Sequence, residues 1–286
     1  MQIVQAYARL IPPPHVDISG GMKPFERIHG LQLLRRIEWY ARISHRSEEA
    51  QTKDSYDRFL RTWVMEHGDF STIEHCGISA DLLVDRGLSH ELVRHRLAKL
   101  ADQDFNVPVI DIDVAAPEVT QESTRFVNYG KRSGDISVIL PNELIPIHIK
   151  LAAHPRPTEV NILDLIDATE ENPLSHEEAT RLFNWYMSWM SGVEFAERSY
   201  LSQISMKVPP ELARDMLPHC TATRMIMTHN LRSWRHLMLM RVTNETHRKL
   251  RPLMQNILTE LQEKVPILYD DIKPNIKQSI SMSRMK

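Results

Sequence analysis

Three stretches concentrate side chains able to bind anions or grip a polar ring. The densest is Glu91-Leu92-Val93-Arg94-His95-Arg96. Successive helical residues lie about 100° apart, so three adjacent cationic or ionisable groups cannot all share one solvated face. Some must turn toward other structure, where an arginine needs an anion. The same run also reads as a solvated helix end, its arginines set against the C-terminal dipole. The second stretch is Gln121-Glu122-Ser123-Thr124-Arg125-Phe126. As a strand it would send Glu122, Thr124 and Phe126 one way and Gln121, Ser123 and Arg125 the other. An amide, a hydroxyl and a guanidinium in one row suit a base edge and a phosphate; a plain polar edge strand is the alternative. The third is Asn230-Leu231-Arg232-Ser233-Trp234-Arg235-His236, with Arg241 beyond it. Arg232 and His236, four apart, share a helix face, and Asn230 is placed to cap its start.

Other chemistries find less support. His67, His75, His90 and His95 have no acidic or thiol partners at ligand spacing, and no HExxH occurs, so no metal site is expected. No GxSxG marks a nucleophilic serine. Cys76 and Cys220 have no base beside them in sequence and are expected to be inert thiols. Neither GxGxxG nor GxxxxGK[ST] is present and glycine is scarce, at 9 residues, so any phosphate must be held by side chains or isolated backbone groups.

The chain has 286 residues, 42% of them hydrophobic, enough for an ample core. Its 35 Lys and Arg against 37 Asp and Glu leave a net charge of −2, which argues against a general nucleic-acid or membrane-surface binder. Two cysteines fit a reduced, cytoplasmic compartment. The opening MQIVQAYARLIPPP lacks the apolar run of a secretory signal, and no stretch approaches the roughly 20 apolar residues of a membrane span.

The elements that must position these groups read as an α+β arrangement, a modest sheet with long helices packed on it. Strands are expected at 2–6, 78–84, 124–128, 136–140 and 222–227. Helices are expected at 25–43 and at 53–66, the latter with Phe59, Leu60, Trp63 and Val64 inward. Ser89 is the expected cap of a helix running on through Leu100. Residues 101–119 read as an extended loop, and 154–173 as a polar, proline-bearing separator. A capping box of Ser175 and Glu178 opens a helix through Leu182, Trp185, Tyr186, Trp189 and Met190. A short helix at 210–217 and the helix LRSWRHLMLMR follow, the latter with Leu231, Trp234 and Met238 inward. An amphipathic helix at 245–264 packs through Leu250, Leu253, Met254, Ile257, Leu258 and Leu261.

Taken in order, these pieces resemble the flavin-dependent thymidylate synthases, the ThyX family. Arg94-His95-Arg96 followed by Gln121-Glu122-Ser123-Thr124-Arg125 is similar to that family's RHR motif with its downstream serine and arginine. His67-Gly68, Ser71 and Glu74-His75 resemble its upstream segment, and Leu217-Pro218, Thr228 to Arg232 and Met240-Arg241 its C-terminal pattern. The resemblance implies one ThyX-like catalytic domain over 1–286, with 99–120 as an inserted loop and 265–286 as a tail. It implies FAD contacts from Ser71, Arg94, His95, Arg96, Gln121, Asn230, Leu231, Arg232 and His236. Glu91, Leu92, Val93, Arg94, Gln121, Glu122, Ser123, Thr124, Arg125 and Arg214 would hold the nucleotide. Arg241 would sit against the uracil ring, favour ionisation at N3 and so serve catalysis. The implied reaction methylates dUMP at C5, with methylenetetrahydrofolate as carbon donor, NADPH as reductant and no cysteine nucleophile, in a homotetramer with shared active sites.

The departures open alternatives. Between Arg96 and Ser123 stand 26 residues, more than the family's usual short spacer; they form either a surface excursion or a lid. Phe126, Glu91 and Thr246-His247 replace residues more usual in the family. A related C5 reaction, hydroxymethylation or methylation of UMP or dCMP, is therefore the second reading. A non-catalytic protein using the arginines for phosphate is the third.

Overall fold

The computed structural model describes residues 1–11, 24–94, 118–132, 134–153 and 175–275. The chain divides into two compact units, the larger formed by Ala6–Val84, Leu88–Gln121 and Arg224–Lys286. The smaller is formed by Met1–Gln5, Asp85–Gly87 and Glu122–Thr223.

The larger unit is built on a four-stranded sheet ordered β2-β3-β6-β4. Its strands are β2 (Tyr7–Ile11), β3 (Gly77–Asp85), β4 (Glu118–Gln121) and β6 (Ala222–Asn230). β2 runs antiparallel to β3 with Arg9 opposite Asp81, and β4 antiparallel to β6 with Gln121 opposite Met225. Strand alternation sends Ala8, Leu10, Ala80, Leu82, Met225 and Met227 to one face, where all are buried. Helices α1 (Arg27–Ile43), α8 (Leu231–Arg241) and α9 (Leu250–Lys264) complete this core. Gly30 marks the crossing of α1 and α9: a Cβ there would lie 1.7 Å from the Lys264 carbonyl oxygen, so only glycine fits. The six apolar positions expected along the last helix are all buried. That helix begins at Leu250, five residues later than its periodicity implied. Leu231, Trp234 and Met238 are buried as expected, and the Trp234 indole donates to the Ile78 carbonyl at 2.8 Å.

The remaining helices of this unit differ in part from expectation. The 53–66 helix appears as α2 (Ser55–Leu60) continued by a π-helical turn, Arg61–Glu66, and stops at Gly68, whose φ is +80°. Leu60 and Val64 point inward, but Trp63 is exposed. The wider π turn carries it off the stripe that a 3.6-residue period gives. Helix α3 (Arg86–Val93) starts before Ser89, so Ser89 is not its cap. The Ser89 hydroxyl lies inside the helix, buried, and accepts from the Gln121 amide at 2.8 Å. Residues 95–117, which hold most of the expected loop, lie outside the described residues; Glu118 and Val119 belong to β4.

In the smaller unit, β1 (Gln2–Val4) pairs in parallel with β5 (Ser137–Ile139). The start of the chain is therefore two short strands, β1 and β2, in different sheets, not one at 2–6. The terminal amine of Met1 sits 2.7 Å from the Glu197 carboxylate, which also accepts from the Ile136 amide at 3.0 Å. Glu197 lies on the long helix α6 (His176–Ser205), opened by the Ser175–Glu178 capping box as expected. Tyr186 faces inward, while Trp185 is exposed. Helices α4 (Tyr129–Arg132), α5 (Ile145–Ala153) and α7 (Pro210–Ala213) also belong to this unit, α7 running on into a 3-10 turn at Arg214–Met216. The expected strand at 124–128 is absent. Ser123 instead nucleates a turn: its hydroxyl accepts from the Arg125 amide at 3.3 Å, and its carbonyl from Val127 at 3.0 Å. The alternation expected over Gln121–Arg125 therefore ends at Gln121. The separator at 154–173 lies outside the described residues.

Candidate functional site

The start of α8 is the best-defined part of the site. Asn230 has extended backbone angles and its Oδ1 accepts from the Ser233 amide at 2.7 Å, the N-cap its sequence position implied. One turn apart on the same helix follow Arg232 and His236. Leu231 is buried and contributes only its backbone: its carbonyl accepts from the Tyr269 hydroxyl at 2.9 Å. Arg232 forms an ion pair and a hydrogen bond with Glu74. Glu74 lies in the 3-10 turn Phe70–His75, which also carries Ser71, whose hydroxyl donates to Asp69 at 2.7 Å. The structure thus joins the upstream segment to α8 through one guanidinium–carboxylate contact.

Two histidines beside this contact are neutral near pH 7. Burial pushes the His236 pKa down, and the Arg232 charge one turn away pushes it further. His229, at the end of β6, is 4% exposed, and neither of its ring nitrogens has a hydrogen-bond partner among the described residues. Its ring stands edge-on to Trp234 at 5.1 Å. Burial, with a smaller contribution from His236, brings its pKa down to about 4. Sequence reasoning passed over His229, because nothing in Thr228-His229-Asn230 shows which side of the strand faces the helices. Glu74 was not legible as a functional residue because its partner, Arg232, lies 158 residues away in sequence.

In the larger unit a second group centres on α3. The Gln121–Ser89 hydrogen bond fixes the end of β4 against the helix that carries Glu91, Leu92, Val93 and Arg94. Leu92 is buried, Glu91 and Val93 are half-buried, and Arg94 is exposed at the helix end. His95 and Arg96 lie outside the described residues. In the smaller unit, Arg125 approaches Glu211 at 3.7 Å, on the helical turn that leads into Arg214. Thr124 is buried beneath the Ser123 turn, and Glu122 offers its carbonyl to Arg86 at 3.5 Å. Arg241 ends α8, eleven residues and about 16 Å of helix rise beyond Asn230.

On its own face the sheet carries a further charge cluster that no local pattern reveals. The Asp81 side chain is fully buried and accepts from Arg224 at 2.8 and 2.9 Å and from Arg9 at 2.9 and 3.2 Å. Burial pushes its carboxyl up, but hydrogen bonds from Arg224 and Arg9 outweigh that and hold it below the usual range. Cys76 is buried and its thiol is pushed up to about 11, so it is no nucleophile.

Comparison with known proteins places this arrangement. Residues 32–267 match the model of the family described as thymidylate synthase complementing protein. The chain belongs to that family. Among its relatives, the flavin-dependent thymidylate synthase of Mycobacteroides abscessus is 24% identical over 235 residues, covering 81% of this chain and 74% of the relative. That of Corynebacterium aurimucosum is 26% identical over 217 residues, covering 73% and 67%. Among solved structures, the UMP/dUMP methylase PolB from Streptomyces cacaoi bound with 5-Br dUMP superposes with a TM-score of 0.59 at 16% identity, over 94% of this chain and 96% of that one. Its complex with 5-Br UMP gives 0.57 at 15% identity. At that identity the likeness establishes the shared ThyX-like α+β fold. The donors around α8 fit a flavin: a guanidinium for phosphate, and an amide, a hydroxyl and the His236 imidazole for the polar edge of the ring.

Proposed function

We propose that the protein is a flavin-dependent thymidylate synthase that methylates dUMP at C5, taking the carbon from methylenetetrahydrofolate and electrons from NADPH through FAD. The observation that carries this reading is the α8 cluster, in which Asn230, Arg232 and neutral His236 stand together with Ser71 and Glu74 inside a chain of this family. The assembly is a cytoplasmic homotetramer, and 1–286 acts as one catalytic domain.

In this account Ser71, Gln121, Asn230, Leu231, Arg232 and His236, with Arg94, His95 and Arg96, hold FAD. Glu74 keeps the Arg232 guanidinium in place by a charge-assisted hydrogen bond. His236, kept neutral by burial, offers one N–H and one lone pair and adds no charge. Glu91, Leu92, Val93, Arg94, Gln121, Glu122, Ser123, Thr124, Arg125 and Arg214 hold the nucleotide. The guanidiniums of Arg125 and Arg214 supply fixed, forked donors for its phosphate. Arg241 places a permanent positive charge against the uracil, stabilises the N3 anion and so makes C5 more nucleophilic. The donor carbon is at the formaldehyde level, so reaching a methyl group takes two electrons more, and these are what the flavin supplies when bound.

A second reading, C5 modification of UMP or of both nucleotides, draws on the fold shared with a UMP/dUMP methylase. Hydroxymethylation and dCMP methylation keep the same flavin chemistry. Incubation with dUMP, UMP and dCMP in separate reactions with methylenetetrahydrofolate and NADPH, followed by product mass, decides among them. Thymidylate from dUMP supports the first reading, and methylated UMP in its place selects the second.

A further inference from the structure

Outside the α8 cluster, the larger unit holds a groove whose lining carries binding chemistry. It has a volume of about 580 Å³ and runs between α1 and the Gln51–Lys53 turn, with Arg35, Arg36, Trp39, Tyr40, Gln51 and Lys53 along its walls. Three of these carry positive charge, and among the described residues no carboxylate lines the groove. The nearest one on α1, Glu38, is buried and held by Arg42 and Gln51. The walls are pre-ordered: the Arg35 Nε donates to the Lys53 carbonyl at 2.9 Å, and the Gln51 amide to the Arg35 carbonyl at 2.7 Å. The Arg35 guanidinium rests over the Tyr56 ring at 5.8 Å. Trp39 presents 46% of its surface to solvent between these cations. A large exposed indole flanked by three fixed charges suits a flat base that carries phosphates.

The groove also leads to the site. Trp39 meets Tyr40 at 5.6 Å, and Tyr40 meets His75 edge-on at 5.5 Å. His75 follows Glu74, the partner of Arg232, and ends the turn that carries Ser71. A line of rings thus links the cationic groove to the residues assigned to the flavin.

We propose that this groove binds the phosphorylated adenosine end of the reducing nicotinamide dinucleotide, with the adenine on Trp39 and its phosphates on Arg35, Arg36 and Lys53. The proposal rests on the flavin-dependent reading above and adds to it where the reductant docks.

The test uses the full chain with its flavin and adenosine 2′,5′-bisphosphate as probe. Calorimetry is expected to show binding to the wild type and a loss of about tenfold or more in affinity in the Arg36→Gln/Lys53→Gln variant, since each phosphate loses a charge-assisted contact. Trp39→Phe, a change at an exposed ring that leaves the fold intact, is expected to remove the fluorescence quenching that the bisphosphate causes and inorganic phosphate does not. In flavin bleaching, the double variant should need about tenfold more NADPH for half-maximal rate, while dithionite bleaches both proteins alike. Equal bisphosphate affinity in wild type and double variant, or no binding to either, overturns the proposal. So does loss of the flavin itself from the double variant, because the groove would then hold the adenylate of FAD. A wild type whose flavin no nicotinamide reduces would instead defeat the flavin-dependent reading.

Discussion

His229 gives the sharpest quantitative expectation. Its folded-state pKa is about 4 against an ordinary 6.5, because burial disfavours the imidazolium. The unfolded chain therefore takes up a proton below pH 6.5 that the folded chain refuses until about pH 4. Stability from this group is level above pH 6.5 and falls as the pH drops through that window. At 1.36 kcal/mol per unit, the full loss is about 3 kcal/mol, of which about 2 kcal/mol is gone at pH 5. His229→Leu keeps nearly the same volume and removes both unpartnered nitrogens, so at pH 7.5 its stability should lie within about 1.5 kcal/mol of wild type. Urea unfolding followed by tryptophan fluorescence at pH 7.5 and pH 5 compares the two proteins. The other acidic and basic groups are common to both, so the difference of differences isolates His229. The variant should lose about 2 kcal/mol less than wild type on going to pH 5. Equal acid sensitivity in the two proteins would refute the reasoning. A proton resonance assigned to His229, by its absence from His229→Leu, that titrates near 6.5 in the folded wild type would do the same.

Other expectations follow from single contacts. Asp81→Asn replaces the carboxylate shared by Arg9 and Arg224 with a neutral amide that has one acceptor oxygen, and should cost about 1–3 kcal/mol at pH 7 by urea unfolding. Because the Asp81 carboxyl is held below its usual range, that gap should close as the pH falls below about 4. Gly30→Ala sets a methyl carbon against the Lys264 carbonyl and should cost at least about 2 kcal/mol, read as a lowered Tm. Arg241→Ala should reduce turnover by about 10²–10³-fold, as loss of one donor to a developing anion does, with the visible flavin spectrum retained. Unchanged turnover removes Arg241 from the chemistry.

Much of the fold was legible wherever the determinants are local. The Asn230 cap, the Ser175–Glu178 box and the apolar stripe of α9 are set by neighbours within one or two turns, and each is found where its sequence placed it. Expectations failed where a side chain answers to something distant. Ser89 looks like a helix cap, but its hydroxyl is engaged by Gln121, thirty-two residues on. Thr124 to Asn128 have strand-forming side chains, yet Ser123 bonds its own backbone and turns the chain. Trp63 and Trp185 fall at helical spacing and still face solvent. The Arg9–Asp81–Arg224 cluster joins three strands and has no trace in any local window. Of the candidate site, the α8 residues were readable as a set because one helix carries them. Their tie to Glu74, and the burial of His229 beneath them, needed the tertiary structure.

The central claim is that this chain performs reductive chemistry at C5 of a pyrimidine nucleotide, and release of tritium from [5-³H]dUMP tests it most directly. The account predicts release by the flavin-loaded protein that requires both methylenetetrahydrofolate and NADPH and is lost in Arg241→Ala. No release from dUMP or UMP, by a protein that purifies without flavin, would contradict it.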